Sequence, residues 1–250
     1  MIGPILSDQE ISHITADFSM VTGYCPGNGI RLNKAIDYLD QVILEFIPDL
    51  TIEKFFRKFR HPFQNSSPSK PEIPLHGIVE VIDGLGIIGI NDSDPPNEQV
   101  FTLAHELAHY LIEQMVPEKR MDQCKEKLKL VGRRAIDKTH IMDHLIGILR
   151  NLEVAPLRHY LTRGNLSGEQ YLRIAHAETN ADRLAFELLA PFSELIGAVD
   201  SGSYVRTREK TYDVLVNDFH FPMGPANHYS GIVAERLYRG PSIKEWLKIE

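Results

Sequence analysis

The sequence predicts an α+β fold in which helices outnumber strands. Three observations carry that expectation. Apolar residues recur at mixed three and four spacings over several long stretches, as amphipathic helices require. Short β-branched runs are confined to Ile78–Ile82 and Ile87–Ile90, around Asp83-Gly84, which is enough for a small sheet. The composition is globular, 43% hydrophobic and 24% charged over 250 residues, and excludes disordered, collagen-like and coiled-coil chains.

The elements follow in order. The first thirty residues read as irregular and too short for a helix-turn-helix module. RLNKAIDYLDQVILEFI, residues 31–47, carries Leu32, Ala35, Ile36, Leu39, Val42, Ile43 and Phe46 on one stripe and predicts a single amphipathic helix, punctuated by Pro48 and Asp49. TIEKFFRKFR predicts a shorter helix that buries Phe55, Phe56 and Phe59 and leaves its basic residues in water. Residues 62–74, rich in Pro and Ser, read as a loop. Beyond it a β-hairpin turns at Asp83-Gly84, and SDPPNEQ leads into the next helix with Asn97 or a neighbour as its cap. Residues 117–138 are locally basic and helical in pattern, best read as a solvated face. Residues 176–191 form another helix with Ala181, Leu184, Ala185 and Leu188 buried, and Pro191 ends it.

Charge and cysteine content narrow the function. Lys plus Arg number 27 against 34 for Asp plus Glu, a net charge of -7, so attraction to nucleic acid phosphates is not expected. Two cysteines, Cys25 and Cys124, build neither a disulfide framework nor a zinc finger. The start lacks the pattern of a secretory signal, and no run approaches the roughly 18 apolar residues of a membrane span. A soluble, reduced, cytoplasmic protein is the expectation.

The chemistry centres on FTLAHELAHYLI, residues 101–112, which holds His105-Glu106-Leu107-Ala108-His109 in an apolar helical pattern. Residues four apart share a helix face, so both imidazoles can reach one ion while Leu103, Leu107 and Leu111 face the core. Neutral imidazoles suit Zn²⁺, although another divalent ion is compatible, and Glu106 can hold a water beside it. A third ligand is needed. Ile112 and Met115 stand where HExxHxxGxxH would need Gly and His, which excludes a compact three-histidine site. Glu113 is too far along the same helix row. The second helix offers Glu178 as ligand and, four residues on, Asp182 to accept a ring N–H from a ligating histidine.

These two segments resemble the ImmA/IrrE metallopeptidases, whose metal helix reads much like FTLAHELAHYLI and whose second motif is similar to ETNADRLAFELLAP. The exchanges are small or apolar: Ala108 where that family usually has Gly, Leu184 for Phe and Ala190 for Met. The hairpin ending in IGIND takes the place of the family's strand before the metal helix. The resemblance spans roughly residues 75–192. It implies a zincin-like core, zinc on His105, His109 and Glu178, and Glu106 as catalytic acid/base in a gluzincin-like set. Sixty-eight residues separate His109 from Glu178, more than is usual there, which implies a helical insertion near residues 117–172.

The expected organisation is therefore an N-terminal helical portion and loop at 1–74, the core at 75–192 and a C-terminal extension at 193–250, folded together as one compact domain. The resemblance implies an endopeptidase acting on a protein substrate, a helix-turn-helix, DNA-binding repressor, in stress response or mobile-element control. The alternative is a metal-stabilised regulatory module that binds a repressor or partner protein without cutting it. Candidate donors to the reaction's oxyanion are His176, Tyr110, His220 and His228, with Tyr229 also near enough in sequence to reach the cleft.

Overall fold

The structure, a computed structural model, describes residues 5–26, 31–59, 74–82, 85–112, 168–199 and 203–237. The 62–73 loop, the Asp83-Gly84 turn, the basic 117–138 stretch, Cys124 and nearly all of the expected insertion lie outside those residues.

The chain opens with α1 (Asp8–Thr22), not with irregular structure. Ser7 and Glu10 form a reciprocal cap at its start, each satisfying a backbone N–H of the other, and Gly23 closes it in the left-handed conformation. The expected 31–47 helix is corrected. Only α2 (Leu32–Ile36) is helical, and Val42–Ile47 is strand β1. The apolar stripe was real, but Val42, Ile43 and Ile47 are β-branched, and pairing with a neighbouring strand outweighs the local helical pattern. α3 (Ile52–Lys58) follows as expected, capped by Thr51 and burying Phe55 and Phe56.

The hairpin is present as β2 (Gly77–Ile82) and β3 (Leu85–Asn91), antiparallel with Ile82 opposite Leu85. β3 is central, because β1 runs parallel along its other side from Val42–Gly86 to Ile47–Asn91. Burial on both faces explains its almost unbroken apolar run. Gly86, Ile88 and Ile90 face the next helix, while Ile87 and Gly89 face α3 and join Phe55, Phe56, Ile47 and Ile78.

That next helix is α4 (Pro96–Tyr110), packed under β2 and β3. Its cap differs from expectation. Pro96 occupies the first helical position, where a missing N–H costs nothing, and Asn97 lies inside the helix. α5 (Gly168–Leu189) starts earlier than expected and ends as expected, before Pro191. It packs along α4 through Ala104, Leu107, Ala108 and Leu111 on one side and Ala181, Leu184, Ala185 and Leu188 on the other, all in one core. Each leucine there contributes about 1.5–3 kcal/mol of burial, while the alanines let the backbones close up.

The extension is helical: α6 (Phe192–Ala198), α7 (Tyr204–Asn217) and α8 (Met223–Leu237). Its separate core is aromatic, with Tyr229 stacked on Phe186 of α5 at 4.3 Å and Phe101 of α4 near Phe186 and Phe221. Among the described residues, no helix is long and apolar enough to cross a membrane.

Candidate metal centre

The α4–α5 seam brings His105, His109 and Glu178 together. His105 Nε2 lies 3.2 Å from His109 Nε2 and 3.2 Å from Glu178 Oε2, and His109 Nε2 lies 3.7 Å from Glu178 Oε1. Four donors around a tetrahedral ion at about 2.1 Å stand about 3.4 Å from one another. The separations are of that order, with a different Glu178 oxygen nearest each imidazole; one ligand atom from each residue lies within 4.8 Å of the other two, and the residues fit such an ion. His109 is buried, whereas His105 and Glu178 are partly open to solvent. Among the described residues three donors converge here, and a catalytic site with three protein ligands keeps its fourth position for water or substrate.

Asp182, one turn along α5 from Glu178, accepts from His105 Nδ1–H at 3.0 Å. This bond leaves Nε2 facing the other two donors and fixes the ring's orientation. Burial alone would lower the His105 pKa. The hydrogen bonds to Asp182 and Glu178, with Glu106 nearby, overcome burial and push it up to about 10. In protein stripped of metal the cluster would thus hold a proton on His105, and a cation must displace it.

Glu106 is half-buried against the start of β2. A methyl group at Gly77 would fall 2.8 Å from its Cγ, 2.9 Å from its Oε1 and 2.5 Å from Thr102 Cγ2. Only glycine lets β2 approach the carboxylate that closely. Sequence reasoning missed this role of Gly77; a glycine at the head of a strand was the available signal.

The remaining candidates separate by position. Tyr110 is buried, its ring flat against Gly86, where a methyl would come within 2.3 Å of it, so it serves the sheet–helix packing. His176, two residues before Glu178, is turned roughly 200° around the helix from it. His220 is exposed with φ 57, at the bend before Phe221. Tyr229 is buried instead of facing the cleft, and its hydroxyl donates to the Ala190 carbonyl at 3.2 Å. His228 comes to the site: its Nδ1 lies 3.9 Å from Asp182 Oδ2, and its ring stands edge-on to Phe186 at 5.7 Å.

Residues 60–130 match a peptidase family model described as IrrE N-terminal-like domain. The recognition drawn from the motifs therefore stands. Over those residues the chain is similar to the IrrE-like peptidases. This is a metallopeptidase family, and a peptidase of this kind takes a protein substrate. The IrrE-like match includes His105, Glu106 and His109 and ends before Glu178. Neither a curated protein nor a solved structure matches the chain.

Proposed function

We propose that the protein is a zinc-dependent endopeptidase, with His105, His109 and Glu178 as metal ligands, Asp182 orienting His105, and Glu106 as general acid/base. The observation that carries this reading is the cluster of two imidazoles and the Glu178 carboxylate, with contacts of 3.2–3.7 Å and a second carboxylate behind one imidazole. A closed structural site would use a fourth protein ligand; three donors among the described residues, beside a carboxylate, suit hydrolysis.

When bound, the cation acidifies water and polarises the scissile carbonyl. Glu106 takes the attacking water's proton and delivers it to the leaving amine, a role worth typically 10²–10⁴-fold. Gly77 holds β2 close enough to keep that carboxylate in place. His228, beside Asp182, is the best placed of the named side chains to donate to the developing oxyanion.

The substrate proposed from the family resemblance is a helix-turn-helix repressor, cut in the cytoplasm to release stress-response or mobile-element genes. Incubation with purified candidate repressors and zinc tests this. Wild-type protein is expected to give discrete fragments, and Glu106→Gln is expected to bind zinc normally but cut about 10²–10⁴ times more slowly. Undiminished cutting by that variant would remove Glu106 from its role. Stoichiometric repressor binding without fragments would favour the regulatory module instead.

A further inference from the structure

A cavity of about 490 Å³ lies on the neighbouring face of α5 between α1, α6 and α8. It falls within the few hundred Å³ typical of small-molecule sites. Its walls are of two kinds. Phe192, Ile232 and Leu237 supply apolar surface in front of the buried rings of Phe186 and Tyr229, and Arg183 and Arg236 supply guanidiniums.

Both guanidiniums donate to one oxygen, Oδ1 of Asp8, Arg236 at 2.6 Å and Arg183 closer still. The arginine side chains are only 15% and 22% exposed, while that of Asp8 is 60% exposed at the first turn of α1. The cationic half of the pair is thus built into the wall, and the anionic half sits at the mouth. Arg183 is further anchored by the Leu6 carbonyl, and Arg236 lies over the Phe192 ring at 5.2 Å. Glu187 also lines the cavity, accepting the Phe192 amide N–H at 3.3 Å. Two guanidiniums are therefore balanced by two carboxylates.

We propose that this cavity binds a small organic monocarboxylate with a flat apolar body, its head group replacing the carboxylate of Asp8 between Arg183 and Arg236. Asp8 turns out to water as the head group takes its place, so the guanidiniums keep a carboxylate partner, and the planar fork of arginine suits that head group. Phe192, Ile232 and Leu237 take the body, and a guanidinium stacked on its ring holds it flat. Phe186 is the wall shared with His228, so the occupant lies one ring away from the candidate metal centre.

Calorimetric titration of the full chain with 1-naphthoate, and with neutral 1-naphthamide as control, tests the proposal without any peptidase assay. Naphthoate is expected to bind at least tenfold more tightly than the amide. Asp8→Asn, which removes the internal competitor and leaves the Ser7–Glu10 cap, is expected to tighten naphthoate several-fold, and Arg236→Gln to weaken it at least tenfold. Absence of naphthoate binding, equal binding of the amide, or no tightening in Asp8→Asn would overturn it. Asp8→Asn decides the matter if Arg236→Gln fails to fold.

Discussion

Helix α5 makes two seams of opposite character. Toward α4 it offers Ala181 and Ala185 against Ala104 and Ala108, all fully buried, and the backbones close until imidazoles and carboxylate stand at coordination distance. Toward α8 it offers Phe186, stacked on Tyr229 and edge-on to His228, and the larger rings hold the helices apart beside a cavity. Side-chain size thus decides what each seam can do. Small residues let three donors close on one point, and large flat ones leave a cavity beside them.

The hardest break of the first seam is removal of a ligand. His109→Ala is expected to abolish stoichiometric zinc retention, measured by metal analysis after dialysis, while the aromatic seam keeps its near-UV signal. Next comes Ala185→Leu, which forces a leucine between the closed backbones. Overpacking of this kind typically costs about 1–3 kcal/mol, read by denaturant unfolding, and it should also weaken zinc binding because the donors are pushed apart.

A pH series sharpens the same contrast. The His105 pKa is raised from 6.5 to about 10 in the folded protein, so its contribution to the stability of chelator-treated protein is full below pH 6.5 and lost as pH rises through 10. Melting temperature without metal is expected to fall over that window, and zinc uptake at pH 8 to release a proton, measurable by calorimetry in buffers of different ionisation enthalpy. Asp182→Asn should weaken zinc about 10–100-fold. The smallest effect belongs to the aromatic seam: Tyr229→Phe keeps the stack, loses the bond to the Ala190 carbonyl, and should cost about 0.5–1.5 kcal/mol in unfolding with zinc affinity unchanged.

The first seam was legible in the sequence because its signals are local. Two histidines four apart, and the Ala/Leu stripe of residues 181–188, state their helix face by spacing alone. The hairpin was equally local, since β2 and β3 are joined through two residues. What was hidden depends on distant partners. Val42–Ile47 has a helical stripe, and only the central strand β3 makes it a strand. The stack of Phe186 on Tyr229 and the meeting of Arg183, Arg236 and Asp8 join residues far apart in the chain, with no spacing to betray them. Glu178 was reached by excluding nearer ligands, and its fit with the histidines became visible only as distances.

The long separation between His109 and Glu178 has a thermodynamic corollary. An unfolded chain offers a cation two imidazoles at most in any one neighbourhood, so tight capture belongs to the native state alone. By mass action, free zinc at a hundred times the dissociation constant would deepen the folding free energy by about 2.7 kcal/mol. The ambient supply of the ion would then set how long each molecule survives, as well as whether it works.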